Sequence, residues 1–192
     1  MNSKTRVRWD NFYQGADSVP AMRVVAENLH LLPRSGNGLE LACGLAANAF
    51  MLAEHGLRMD AWDISPVVVE RINQAASQRN LPVSGKACDL DREPLPVSRY
   101  DVVVVTHFLD RDLVQPIIAA LKPGGILMYQ TFTRTRVSAG GPENELFRLA
   151  DGELLSLFSD LQPRVYREEG LCGDSTQGFR NEALLVAQKP AD

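Results

Sequence analysis

The chain of 192 residues has only three cysteines, Cys43, Cys88 and Cys172, and no two of them form a Cys-x-x-Cys pair. Odd in number and far apart, they argue against a disulfide scaffold or a cysteine zinc site and point to reduced thiols; no metal is expected. Long apolar runs are missing too. No stretch approaches the roughly 20 residues a membrane span needs, and Met1–Arg6 lacks the apolar core of a signal peptide. A cytoplasmic location without membrane contact is expected. Positive charge is also in deficit: 20 Lys and Arg against 24 Asp and Glu leave a net −4. No overall field therefore draws in nucleic acid or anionic lipid. The one local exception, Lys4, Arg6 and Arg8, reads as a solvated tail. With 45% hydrophobic and 23% charged residues and no repeats, residues 1–192 make one soluble domain with an N-terminal cap segment over about 1–34.

Apolar runs of strand length alternate with helical patterns. Ser18 is placed to cap a helix over Val19–Leu32, where Met22, Val25, Leu29 and Leu32 recur at helical spacing. Leu39–Ala42 reads as a strand and Asn48–His55 as a helix stopped by Gly56. Arg58–Ile64 is a second strand, and Ser65-Pro66 is an N-cap with proline at the first helical position of a helix to about Arg79. Val83–Cys88 is a third strand. Tyr100–Thr106 is the fourth, and its four consecutive valines suit a central parallel strand covered on both faces. A helix over Leu113–Leu121, a strand over Ile126–Thr133, a helix near Gly152–Ser159 and strands near Arg164–Arg167 and Glu182–Gln188 complete the chain. The expected fold is α/β: an open, doubly wound, Rossmann-like sheet of about seven strands, mostly parallel, with helices on both faces. Only a glycine-rich loop joins the last two strands, which predicts an antiparallel hairpin at the sheet edge.

In such a sheet, ligands sit beyond the carboxyl ends of the strands, at the switch point. There the small-residue turn Gly38-Leu-Glu-Leu-Ala-Cys-Gly-Leu-Ala-Ala-Asn48 leads from strand to helix. Small side chains allow close approach of backbone to a ligand, although a tight turn needs them whatever it binds. Asp63 lies 19 residues beyond Gly44 at the end of the second strand, placed to accept the hydroxyls of a ribose. Asp89, in Cys88-Asp-Leu-Asp91, is placed either to receive an exocyclic amine of adenine or to shape a solvated turn. Together the three strand ends describe a site for an adenosine-bearing ligand.

The series Leu39-Glu-Leu-Ala-Cys-Gly-Leu-Ala46, Asp60-Ala-Trp-Asp-Ile-Ser-Pro66 and Ala87-Cys-Asp-Leu90 resembles the first three motifs of class I S-adenosylmethionine-dependent methyltransferases. Tyr100-Asp-Val-Val-Val-Val-Thr-His-Phe-Leu-Asp-Arg111 and Leu121-Lys-Pro-Gly-Gly-Ile-Leu127 resemble the fourth and fifth, in the family's order. Trp9-Asp-Asn-Phe-Tyr13, Phe108-Leu-Asp-Arg111, Thr131-Phe-Thr133 and Asn144-Glu-Leu-Phe147 are similar to its tellurite-resistance-type and thiopurine-type branch. The resemblance implies S-adenosylmethionine as cofactor, with Glu40, Ala42 and Gly44 lining its methionine end and Asp63 holding the ribose. It puts Ile64, Asp89 and Leu90 around the adenine, Thr106 and His107 near the sulfonium, and Trp9 and Tyr13 closing over the whole. The usual acid-x-Gly-x-Gly-x-Gly is here Glu40-x-Ala42-x-Gly44-x-Ala46, which adds two methyl groups to the turn.

The implied activity is transfer of a methyl group to a small-molecule nucleophile by in-line displacement, with no nucleic acid as acceptor. Positioning supplies most of the rate effect, so no catalytic dyad is required. His107, the one histidine at a strand carboxyl end, is the candidate proton acceptor. Arg111 is either an anchor for an anionic acceptor or a partner of Asp110 or Asp112. The polar segment Arg134–Arg148 reads as a mobile lid whose Arg134 and Arg136 reach an anionic acceptor. Two alternatives stay open: a cofactor-binding module without catalysis, and an NAD-dependent oxidoreductase, for which Ala42-x-Gly44-x-x-Ala47 is a poor fingerprint. Oligomeric state is not encoded in any pattern here.

Overall fold

Alternation of strand and helix patterns gives one mixed sheet. A computed structural model describes residues 3–17 and 19–191. The strands are β1 (Asn37–Leu41), β2 (Arg58–Asp63), β3 (Val83–Ala87), β4 (Tyr100–Thr106), β5 (Leu121–Phe132), β6 (Gln162–Glu168) and β7 (Glu182–Gln188). They lie in the order β3-β2-β1-β4-β5-β7-β6. The first five run parallel, and β7 is antiparallel to both of its neighbours, β5 and β6. The expected hairpin is present, with β7 lying between β5 and β6 and β6 outermost. Strand order reverses between β1 and β4, and in open α/β sheets ligands sit at such a switch point.

The four valines of β4 show how two cores are built from one strand. Val102 and Val104 join Met59, Ala61, Ile126, Met128, Leu184 and Val186 on one face. Val103 and Val105 join Leu39, Leu41, Leu127, Tyr129 and Leu185 on the other. Side chains alternate at a period of two, so a run apolar on both faces feeds both layers. The first layer is covered by α2 (Arg23–Ala26), α3 (Ala47–His55) and α4 (Pro66–Arg79), the second by α5 (Val114–Ala120) and α6 (Glu153–Leu157). Ser65 caps α4, its hydroxyl accepting from the Val68 N–H at 3.3 Å, with Pro66 at the first helical position.

The N-terminal segment departs from expectation. Trp9 and Tyr13 do not precede the first helix but ride on it, since Ser3–Gln14 forms α1. The helix expected over Val19–Leu32 is broken into the four-residue α2 and a single 3-10 turn at Leu29–Leu31. Met22 is extended, and the Asn28 side chain donates to the Val24 carbonyl at 3.0 Å, competing with continuation of the helix. Ser18 lies outside the described residues. The helix expected over Leu113–Leu121 opens with a 3-10 turn at Arg111–Leu113.

Gly56 ends α3 with φ near +123°, and a Cβ there would lie 2.3 Å from the Arg34 carbonyl oxygen. Rigid backbone cannot yield as a side chain does. Gly56→Ala is expected to cost about 1–3 kcal/mol, read as a lower urea midpoint; an unchanged midpoint would show that the chain has another way round this corner.

Candidate active site

The turn after β1 is held open by two buried carboxylates. Glu40 stands between Leu39 and Leu41, so strand alternation turns it away from their layer and toward α3. One of its oxygens accepts from Asn48 Nδ2 at 2.7 Å and the other from the Ala49 N–H at 2.8 Å. Asp63, at the end of β2, accepts from the Gly44 N–H and from the Ser65 N–H, each at 2.9 Å. Donors left over at the start of a helix and in a tight turn are thus satisfied by acids from two neighbouring strands. Burial pushes the Glu40 carboxyl up to about 7, against the hydrogen bonds from Asn48 and Ala49. Burial also raises Asp63, against the N–H groups of Ser65, Gly44 and Ile64.

Between these acids the backbone takes the left-handed conformation three times, at Ala42 (φ 49°), Gly44 (φ 52°) and Ala46 (φ 57°). These are the three positions that alternate along the turn, and only one of them is glycine. An L-residue in this region carries a steric cost on the order of 1–2 kcal/mol. The departure noted in the sequence is therefore a matter of backbone strain as well as of crowding.

α1 lies across this turn. Arg71 of α4 donates to the carbonyls of Tyr13 and Ala16, and the Ser65 hydroxyl donates to Asp10 at 2.6 Å. The Tyr13 hydroxyl sits where it would be only 3.0 Å from a Cβ on Gly44. Trp9 stacks on Tyr13 at 5.7 Å. Burial and the nearby charges of Asp63, Cys43 and Glu40 push the Tyr13 phenol well above its ordinary range. Ile64 is half-buried beside Asp63, and Leu90 is buried at the end of β3. Asp89 shapes the turn that follows, accepting from the Asp91 N–H at 3.2 Å, with Arg92 at 3.7 Å.

At the ends of β4 and β5 a second polar group gathers. Thr106 accepts from Asn48 at 3.1 Å, which links it to Glu40. His107, also left-handed at φ 53°, stacks on Phe132 with ring centroids 4.4 Å apart. Its Nε2 is 3.1 Å from Glu182, whose other oxygen accepts from Gln130 Nε2 at 2.6 Å. Gln130 in turn accepts from the Val24 N–H at 2.9 Å, tying α2 to the same group. Burial works to raise the Glu182 carboxyl, but hydrogen bonds from His107 and Gln130 and the charges of His107 and Arg23 outweigh it and leave it below its usual range.

Arg111 turns to α6 and to backbone. It forks onto Glu153 at 2.6 and 3.1 Å and donates to the carbonyls of Leu146 and Arg148. Four of its five N–H donors are committed, so it clamps the segment after β5 to α6. That segment makes polar contacts of its own. Fully buried Arg148 donates to the carbonyls of Thr133, Gly140 and Pro142, and Asn181 accepts from the N–H groups of Val137 and Ser138. Arg136 turns back onto Glu143 and the carbonyl of Pro142. Asn48, Gln130, Glu182 and Asp10 were not foreseen. Asn48 carried a signal, a polar residue on the buried side of α3; Glu182 carried none, since its partner lies 75 residues away. Among the described residues no cluster of metal-ligating side chains occurs, and no helix is long and apolar enough to cross a membrane.

Residues 39–125 match the model of a family described as a methyltransferase domain. No curated protein is matched by sequence. By structure the chain is similar to TehB of Haemophilus influenzae, at 21% identity and a TM-score of 0.73, covering 95% of this chain and 67% of that one. It is also similar to geranyl diphosphate C-methyltransferase of Streptomyces coelicolor, solved with S-adenosyl-L-homocysteine, at 15% identity and 0.67, covering 86% and 78%. A third likeness is to the [4+2]-cyclase SpnF, at 17% identity and 0.68, covering 95% and 81%. At these identities the likenesses concern the fold, and the cyclase shows that this fold also serves other chemistry.

Two outcomes are expected from the turn. Ala42→Gly and Ala46→Gly each relieve a left-handed alanine, and each should raise the melting temperature by about 1–3 °C, corresponding to about 0.5–1 kcal/mol after the added freedom of the unfolded chain. A fall would show that the methyl groups are packed rather than crowded. Glu40 has its folded pKa raised to about 7 from 4.5. Its stabilising contribution is therefore full below pH 4.5 and lost as the pH rises through 7, an amount of about 3 kcal/mol. Asp63 acts with the same sign. Urea midpoints should fall between pH 5 and pH 8, and Glu40→Gln should flatten that slope; equal slopes would place the titration elsewhere.

Proposed function

We propose that this chain, of which residues 39–125 match the model of a methyltransferase domain, transfers a methyl group from S-adenosylmethionine to a small-molecule nucleophile by in-line displacement. One observation carries the reading: three left-handed residues of the turn lie between Glu40 and Asp63, with Gly44 bare of side chain at its centre. That turn presents backbone to a ligand, and the acids Glu40, Asp63 and Asp10 around it favour a ligand bearing positive charge. When bound, the cofactor supplies a methyl group made electrophilic by its sulfonium.

The roles of the residues follow from their places. Gly44 gives the ligand's amino-acid end its closest approach to backbone, flanked by Ala42. Glu40 is sealed from solvent and acts through Asn48 and the start of α3, holding the turn rather than touching the ligand. Asp63 has both oxygens on N–H groups, yet a carboxylate has about four acceptor sites, so it keeps capacity for a ribose hydroxyl. Ile64 and Leu90 supply apolar contact for an adenine, with Asp89 at the rim. Thr106 and His107 lie at the end of β4, where the reacting end would face the acceptor. Trp9 and Tyr13 cover the turn from α1 and keep water from it. Because Tyr13 rests on Gly44, α1 has to shift to admit the ligand.

Calorimetry with S-adenosylhomocysteine tests the reading. Asp63→Ala is expected to weaken binding by about 2–3 kcal/mol, the scale for hydrogen bonds to a charged group, or roughly 30- to 150-fold. An isotherm unchanged within error, in a variant that keeps its melting transition, would overturn the ribose assignment.

A further inference from the structure

The pair His107–Glu182 joins the end of β4 to the start of β7. We infer that Glu182 fixes His107 in the tautomer protonated at Nε2, leaving Nδ1 as a base, and that the acceptor of this enzyme carries a removable proton on its nucleophilic atom. The inference rests on the methyl-transfer reading above and adds to it an acceptor class and a positioning residue.

The argument begins with Glu182. Its carboxyl is held below the usual range, so it is ionised at neutral pH and can only accept hydrogen bonds. One oxygen takes the Gln130 amide N–H at 2.6 Å, and the other faces His107 Nε2 at 3.1 Å. Nε2 must therefore carry the hydrogen, and in the neutral imidazole Nδ1 then holds the lone pair. Among the described residues no hydrogen bond reaches Nδ1. The ring cannot turn freely to exchange its nitrogens, since its face lies on Phe132 at 4.4 Å and its own backbone is left-handed. Phe132 is backed on this side of the sheet by the Arg148 guanidinium, 5.5 Å from its centroid. The His107 side chain is 41% exposed, against 16% for Glu182. The base is open to a substrate while its orienting acid is not.

The charged groups around the pair are Arg23 of α2 and the carboxylate itself, with Gln130 neutral between them. As the bond from the nucleophilic atom to the methyl carbon forms, the proton on that atom passes to Nδ1. The electron pair of the broken carbon–sulfur bond stays on sulfur, giving S-adenosylhomocysteine. Imidazolium charge gained at His107 is met by Glu182. A nucleophile that is already an anion has no use for this pair, and an alcohol, phenol, amine or thiol does.

Nitrogen-15 NMR of the full chain, free and with S-adenosylhomocysteine, tests the tautomer without turnover. His107 is expected as the Nε2–H form. Glu182→Met, which keeps length and removes the acceptor, should mix the tautomers and speed exchange of that proton at least tenfold, and Glu182→Gln, which retains an acceptor oxygen, should restore the Nε2–H form in part. An Nδ1–H form in the unaltered protein, or identical tautomers in Glu182→Met, would overturn the inference. A turnover arm compares phenol, alkyl alcohol, amine and thiol probes with thiocyanate, which has no proton to lose. His107→Gln should slow the protic probes by roughly 100-fold or more and thiocyanate by no more than a few-fold. Equal losses for both sets, or transfer to thiocyanate alone, would overturn the acceptor class. Failure of transfer to every probe, with no binding of S-adenosylhomocysteine, would overturn the methyl-transfer reading itself, while the NMR result still decides the tautomer.

Discussion

Two carboxylates taken out of water to satisfy backbone N–H groups hold this site together. Glu40 reaches from β1 to the first turn of α3, and Asp63 reaches from β2 to the N–H of Gly44 and to the start of α4. A buried polar donor left unpaired costs about 1–3 kcal/mol, and a left-handed turn running into a helix exposes several at once. The acids answer that need, and in doing so they place negative charge around the one glycine that the turn retains. The feature that stabilises the turn and the feature that suits a cationic ligand are the same pair of side chains.

From Asn48 the same logic spreads outward. Its amide joins Glu40 to Thr106 and accepts from the Met22 N–H at 2.8 Å. Gln130 repeats the pattern one strand further on, accepting from Val24 and donating to Glu182. The ends of β1, β4, β5 and β7 and the entry to α2 are thus joined through side-chain amides, which donate and accept at once. A polar network with its members paired is rigid in a low-dielectric setting, whereas one left half-paired would be costly. Rigidity of this kind serves the proposed methyl transfer, which depends on alignment more than on covalent help.

Three arginines of the molecule serve its loops. Arg71 holds the end of α1, Arg111 joins the segment after β5 to α6, and Arg148 gathers three carbonyls inside that segment. Each puts a rigid fork of donors where irregular backbone leaves carbonyls without partners. A loop that looks free by composition is pinned for this reason.

Local chemistry determined much of this protein from the sequence alone. The valines of β4 announced a central strand, Ser65-Pro66 and Gly56 marked helix ends, and Asp63 marked the end of β2, because each depends on neighbours within a few residues or on the period of its own element. Glu40, Ala42, Gly44 and Ala46 were visible as a turn for the same reason, though not the left-handed backbone that makes the alanines strained. Only the tertiary structure decided that Trp9 and Tyr13 ride on a helix laid over the turn, that Arg111 answers Glu153, and that His107 meets Glu182. The last two are pairings across 42 and 75 residues, set by strand order and by the insertion of β7 beside β5. No periodicity or capping rule carries that information, since a side chain's distant partner depends on how the whole sheet is threaded.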